Sequence, residues 1–230
     1  MKIRIEFSKL DGVKYISHLE LMDTIRRGLR RANFPVSYSK GYNPHIQLSL
    51  GQPLAVGMVG MAEYFDLDLE KKIEIDKFIS GLNQSLPPSI CINKARYVPD
   101  DVKSLQAVVN TAVYLIKMDF KKNIDEERTL NGFVNFPEIR VVRRRRNKKD
   151  RIYDLKPMLY NASVRDDNIW EFTVSTGSSG NVRPSEIIKA LSERYDEINE
   201  VPLVNVIREE MLVKKGNKFY KPFDDSIVRS

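Results

Sequence analysis

From Lys2 to Phe7 the chain alternates Ile3, Ile5 and Phe7 with Lys2, Arg4 and Glu6. That period of two predicts a strand with one face in a core and one in water. Beyond a short polar break the period changes. Leu21, Met22, Ile25, Leu29 and Ala32 recur three and four residues apart, which predicts a helix with a single apolar face. Ser17 and Glu20 have capping-box spacing, and Ile16 and Leu21 are placed for a hydrophobic staple, so the helix is expected to begin at Ser17. Pro35 ends it. Val36–Ser39 and Ile46–Leu50 read as extended and Met61–Leu69 as a strand, with Gly51, Pro53, Gly57 and Gly60 breaking the stretch between. Ile75–Leu86 reads as a second helix stopped by Pro87-Pro88, and Ile90–Tyr97 as a strand. The order is βαββαβ, the ferredoxin-like pattern.

A polar stretch from Pro99 to Ser104 reads as a linker, after which the pattern repeats in architecture but not in sequence. Ala112–Phe120 is a predicted strand. Asn123 is placed to cap a helix with Leu130, Phe133 and Val134 inward. Ile139–Arg145 and Arg151–Leu155 are extended segments about a turn near Asn147. Trp170–Ser175 is a strand, Pro184–Tyr195 a helix, and Leu203–Val213 a strand followed by a hairpin turn at Lys215-Gly-Asn217. The expectation is an α+β protein of two tandem ferredoxin-like (βαββαβ) domains with antiparallel sheets. Residues 1–100 would form the first and 105–230 the second, a division that suits 230 residues.

Charge adds a functional direction. The net charge of +7 is concentrated in two islands: residues 1–60 net +5, residues 137–160 net +6, and the remainder is mildly acidic. The first island holds Arg26, Arg27, Arg30 and Arg31 on the helix side opposite its apolar face. It runs into the loop Tyr38-Ser-Lys-Gly-Tyr-Asn-Pro-His45. Tyr38 and Tyr42 are placed either to stack on unpaired bases or to pack on a neighbouring sheet, and Lys40 to reach a phosphate. The second island, Arg140-Val-Val-Arg-Arg-Arg-Arg-Asn-Lys-Lys149 and Arg151, would form a basic ribbon if paired as a hairpin and a solvated charged loop if not. Arg143, Arg144, Arg145, Arg146, Lys148 and Lys149 are its candidate phosphate contacts. Clustered like charge is the footprint of a polyanion partner, RNA above all.

Other chemistry is sparse. The Gly/Ser-rich segment Ser175–Pro184 precedes a helix, so Gly180, Asn181 and Arg183 are candidate anion ligands, although neither the P-loop nor the dinucleotide fingerprint is present. His45 and His18 are the only histidines and the only acid–base candidates, and His18 sits where the helix dipole would lower its pKa. Cys91, the one cysteine, lies in the apolar run Ile90-Cys-Ile92 and reads as a buried hydrophobe. A single thiol can form neither an internal disulfide nor an iron–sulfur cluster site from this chain's own thiolates, and no metal site is expected. No apolar run approaches a membrane span and no signal-peptide core precedes the first strand, so a cytoplasmic protein is expected.

Tyr15-Ile-Ser-His-Leu-Glu20, the arginine helix, Tyr38–His45, Pro53-Leu-Ala-Val-Gly57, Ala62-Glu63 and Val182-Arg183-Pro184, in that order, resemble the radical-SAM-linked protein family, a bacterial domain of unknown function. Tyr42 stands where that family usually has Phe, and Gly60 lies where it often has Ser. The resemblance implies a radical SAM enzyme as partner. The iron–sulfur cluster and S-adenosylmethionine would then be bound by that partner and not by this chain. It also implies a place in RNA metabolism, but no catalytic residue. The tandem architecture is similar to that of the CRISPR repeat-processing endoribonucleases. The expected function is thus a non-enzymatic RNA-binding accessory that works with a radical SAM enzyme in RNA processing or modification. The alternatives are a metal-independent ribonuclease or RNA-modifying enzyme using His45, and a protein–protein adaptor for the radical SAM partner.

Overall fold

A computed structural model of the chain describes residues 1–145, 148–178 and 180–229. The expected turn at Arg146 and Asn147 lies outside them, as do the side chains of Arg145 and Lys148.

The first half runs β1 (Lys2–Lys9), α1 (His18–Arg31), β2 (Leu48–Leu50), β3 (Val59–Asp68), α2 (Ile75–Ser85) and β4 (Ile90–Val98). The short helix α3 (Leu105–Val108) leads to β5 (Thr111–Lys117), α4 (Glu126–Val134), β6 (Arg140–Arg145), β7 (Lys148–Asp154), β8 (Leu159–Asp166) and β9 (Ile169–Ser175). The chain ends with α5 (Pro184–Ser192), β10 (Val206–Lys215), β11 (Lys218–Tyr220) and α6 (Asp225–Val228). The protein is α+β with a mostly antiparallel sheet.

Nine strands form one continuous sheet, in the order β4-β1-β3-β10-β5-β9-β8, with β2 added on β3 and β11 on β10. Two separate sheets were expected. They are fused because β10 lies parallel to the start of β3, pairing Ile207 with Val59 and Arg208 with Gly60. One core lies under α1 and α2, around Ile5, Phe7, Phe65 and Phe78, and a second under α4 and α5, around Trp170, Phe172 and Ile187. Both occupy the same sheet face. Glu63, in phase with Phe65 on β3, bonds Arg208, in phase with Val206 on β10. A smaller cluster of Tyr64, Leu105, Val109 and Met211 covers the opposite face.

The capping box at Ser17 forms as expected, with the Glu20 amide donating to Ser17 Oγ at 3.3 Å and the Ser17 amide to Glu20 Oε2 at 2.7 Å. Strand β1 is not half-exposed. Arg4 and Glu6 are buried along with the apolar positions, because α3 and the C-terminal segment cover the second face. Arg4 is satisfied there by Asp66 at 2.8 and 2.9 Å and by the carbonyls of Pro222 and Lys103 at 3.0 and 3.1 Å. A buried charge demands that kind of partner set. The segment read as a linker is therefore tied down at Lys103.

Three further readings change. Asp125, not Asn123, caps α4, accepting from the Arg128 amide at 3.0 Å. Helix α5 stops at Ser192 rather than Tyr195. Strand β8 has no counterpart among the elements the sequence predicts. It is the last strand of the main sheet's path, paired on β9, and its sequence LYNASVRD carries too few apolar residues to show a clear period.

Candidate functional site

Basic strand β6 pairs antiparallel with β7 as a two-stranded sheet of its own, with Val141 opposite Tyr153 and Val142 opposite Ile152. Alternation sends Val141, Arg143 and Tyr153 toward α5, while Val142 and Ile152 stay exposed. Arg143 is the bolt. Its Nε and Nη2 each donate to Glu186 of α5 at 2.7 Å, it also donates to the Asn181 carbonyl, and its guanidinium lies 5.1 Å from the Tyr153 ring centroid. The Tyr153 hydroxyl donates to the same carboxylate at 2.7 Å. Burial opposes the charge on Glu186, but these bonds outweigh it and hold its carboxyl below the usual range. Arg143 is thus a fixed structural contact and not a free phosphate ligand. Its neighbour Arg144 is exposed.

Between β6 and α5 runs a cleft of about 370 Å³, lined by Arg140, Arg144, Arg183 and Lys189 beside the Arg143–Glu186 pair, with Glu193 and Glu200 at its wall. The sequence placed the basic ribbon and the Gly/Ser segment in separate motifs; the fold brings them together. Within that segment, Gly180 and Asn181 serve the turn. Gly180 has φ +152° and a side chain there would strike Met158 Sδ at 2.7 Å, while its carbonyl accepts from Ser175 Oγ at 3.0 Å. Asn181 spends its carbonyl on Arg143. Asn181 and Arg183 are both exposed, and Arg183 has no side-chain ion pair among the described residues.

Helix α1 presents its arginines unevenly. Arg27, Arg30 and Arg31 are exposed, but Arg31 donates to the Ser85 carbonyl at the end of α2, and Arg27 lies 3.3 Å from Thr24 Oγ1. Arg26 is half-buried, 3.4 Å from Asp23. The loop that follows is closed by the Tyr38–Ile46 bridge and by the Ser39 amide donating to the His45 carbonyl at 2.9 Å. Tyr42 is fully exposed at its tip, Gly41 has φ +138°, and Tyr38, Lys40 and His45 are exposed too. Tyr42 therefore packs on nothing among the described residues, whereas Tyr38, 44% exposed, is partly covered. His45 Nδ1 is held by the Asn43 carbonyl at 3.1 Å and Ser39 Oγ at 3.3 Å, with no second acid–base group bonded to the ring among the described residues.

His18 lies elsewhere, at the junction of the two halves. It lines a cavity with Lys9, Glu63, Leu50 and Tyr64 that holds about 10 Å³, room for one water. Its pKa is lowered chiefly by burial, with the charges of Glu63 and Arg208 acting in opposite directions. Lys9 Nζ donates to the carbonyls of Lys14 and Ile16 at 3.0 and 3.2 Å, pinning the approach to α1. On the far side of Gln52–Leu54 lies a second cleft of about 390 Å³, with Tyr114 and Arg208 on its lining and Arg183 and Ser185 shared with the hairpin cleft. Among the described residues no three His, Cys, Asp or Glu side chains converge as a metal site, and no helix is long and apolar enough to cross a membrane.

The family described as "Uncharacterized protein conserved in bacteria (DUF2344)" matches residues 2–184. The chain belongs to that family. Among curated proteins none matches. A solved structure entitled "Crystal Structure of a Cbf5-Nop10-Gar1 Complex" is similar at 13% identity and a TM-score of 0.48, over 90% of this chain and 49% of that one, so the chain spans about half the length of that relative.

The family match ends at Pro184, the first residue of α5, and so takes in both basic islands and Arg183. Tyr114 and Arg208 escaped sequence reading: one sits inside an apolar strand and the other before Glu209-Glu210, where it looks like a solvated charge. Cys91 is half-buried rather than buried, its thiol donating to the Pro88 carbonyl at 3.1 Å.

Proposed function

We propose that this DUF2344 protein is a non-enzymatic RNA-binding accessory that presents RNA to a radical SAM enzyme in RNA processing or modification. The observation that carries the reading is the hairpin cleft. One ion-pair network locks β6–β7 onto α5 and leaves Arg140, Arg144, Arg183 and Lys189 lining a single trough. Cations carried on a hairpin fixed to α5 suit a phosphate backbone, because the elements that present them are ordered in folding and not in binding; Arg140 and Lys189 would exchange Glu138 and Glu193 for phosphate. The exposed Tyr42 ring, with Lys40 nearby, supplies a second contact suited to an unpaired base.

The strand orders β4-β1-β3-β2 and β10-β5-β9-β8 support reading residues 1–100 and 105–230 as tandem ferredoxin-like units, the second with β6–β7 inserted. The radical SAM partner rests on the motif resemblance. In its favour, Ser17-His18, Pro53-Leu54, Glu63 and Val182–Pro184 all line the two cavities at the junction. The cluster and S-adenosylmethionine belong to the partner, and the complex is cytoplasmic. Catalysis by His18 finds no support in a cavity of water size, nor catalysis by His45 in a ring held only by its own loop.

The deciding experiment is RNA binding by the purified protein across a salt series. Affinity should fall linearly on a log–log scale, by about 0.7 in slope for each single-strand phosphate engaged. Absence of binding at low salt would end the proposal. Co-purification with the radical SAM enzyme that survives nuclease and high salt would mark protein–protein docking as the main role instead.

A further inference from the structure

We propose that the junction cleft binds one nucleotide unit, its base against Tyr114 and its phosphate at Arg183. This deepens the RNA reading and rests on it for the source of the nucleotide within a strand.

The cleft's volume of about 390 Å³ falls in the range of pockets that enclose one small ligand. Leu54, Met58 and Leu203 make its walls apolar, as the flat face of a base requires. The floor is polar but uncharged overall. Arg208, 2% exposed, is consumed by Glu63 and by the carbonyls of Gln52 and Pro53 at 2.8 and 3.1 Å. An anion therefore gains little by going to the bottom.

Tyr114 supplies what a base edge needs. The residue is 4% exposed and lines the cleft. Burial pushes the phenol's pKa up, with the Arg208 charge acting the other way, so the proton stays on. Among the described residues no hydrogen bond from that hydroxyl is found, and it is not one of the buried polar atoms left unpartnered, so it opens on the cleft. A donor that faces the cleft is available to a ligand, and the ring nitrogens and carbonyls at a base edge are acceptors of the right kind.

The phosphate has one place to go. Arg183 is exposed at the rim and carries no side-chain ion pair among the described residues. It also lines the hairpin cleft, as does Ser185, so the two clefts meet at the start of α5. A strand tracking the hairpin arginines would reach Arg183 with one phosphate and turn the adjoining base inward, as enzymes and binders of unpaired bases do.

The test uses the full chain, titrated with the four 5′-mononucleotides and with short single-stranded oligoribonucleotides, read by equilibrium dialysis and amide chemical shifts. Ala55→Trp fills the mouth from an exposed cleft position. Tyr114→Phe removes only the donor, and Arg144→Ala touches only the hairpin cleft. Ala55→Trp is expected to abolish mononucleotide binding and to weaken RNA at least about tenfold. Tyr114→Phe should weaken both about tenfold, the scale of one buried hydrogen bond. Arg144→Ala should weaken RNA alone. Mononucleotide binding without RNA binding would keep the cleft as a free-nucleotide site and remove the RNA reading. RNA lost on Ala55→Trp without mononucleotide binding would assign the cleft to a nucleotide within a strand. RNA binding untouched by Ala55→Trp and Tyr114→Phe, with no mononucleotide bound, would overturn the cleft and leave the RNA reading standing. Binding of neither would overturn both.

Discussion

Arg208 of β10 donates through Nε to Glu63 Oε1 of β3 at 2.7 Å, with a second bond from Nη2 to Oε2, across the one parallel strand contact that joins the two halves of the sheet. Both residues are almost wholly buried. Desolvating two charges is expensive, and the pair is tolerable because backbone carbonyls of Gln52 and Pro53 take two more of the guanidinium protons. Removing one partner strands the other. Glu63→Gln or Arg208→Met should each cost about 3–5 kcal/mol in urea unfolding, whereas the double replacement Glu63→Leu with Arg208→Met should recover much of that loss. Single and double variants of equal stability to wild type would show that the junction does not depend on this pair.

The hairpin allows a sharper separation of roles. Arg143 and Arg144 are adjacent in sequence, but the first bonds Glu186 and the second is exposed. Arg143→Ala should destabilise the protein, since it leaves a carboxylate and a tyrosine hydroxyl short of a partner. Arg144→Ala should leave melting unchanged while lowering the RNA salt slope by about 0.7. Equal effects of the two substitutions on stability would contradict the inward and outward assignment.

Acid should release the same lock. The carboxyl of Glu186 lies below the usual glutamate pKa when folded because Arg143, Tyr153 and the Arg183 amide bond it against the cost of burial. A group with a depressed folded pKa adds stability that is complete above its unfolded value and is lost as pH falls through the folded one. The melting difference between wild type and Glu186→Gln should therefore be full near neutrality, begin to shrink as pH falls past the ordinary glutamate value of 4.5, and vanish only below the lowered folded value. A difference independent of pH would show that the carboxylate charge is not what holds the hairpin.

Periodicity made β1, α1, β3, α2 and β4 legible, because each has an apolar face that local spacing reveals. What escaped was burial imposed from far along the chain. Arg4 looks solvent-facing until Lys103 and Pro222 arrive to accept from it. Arg208 looks like part of a charged run until β3 comes alongside. The same limit applied to the site. Arg183 was visible as a cation after a flexible segment, but its meeting with the hairpin arginines depends on the Arg143–Glu186 bond, between residues 43 apart in sequence. Tyr114 was hidden because a tyrosine in an apolar strand gives no hint of which way its hydroxyl faces.

Tyr42 offers the cleanest separation of stability from binding. It is fully exposed, beside a glycine at positive φ, on a loop whose closure depends on Ser39, His45 and the Tyr38–Ile46 bridge and not on its own ring. An aromatic side chain left in water contributes almost nothing to the fold, so Tyr42→Ala should leave the melting temperature unchanged. If the ring stacks on a base, the substitution should weaken single-stranded RNA by about 1–3 kcal/mol and should act on all sequences alike, because every base has a face to stack. Tyr42→Phe should retain binding, since stacking needs the ring and not the hydroxyl. Loss of affinity in Tyr42→Phe equal to that in Tyr42→Ala would show that the contact is a hydrogen bond through the hydroxyl, and unchanged affinity in both would place RNA away from this loop.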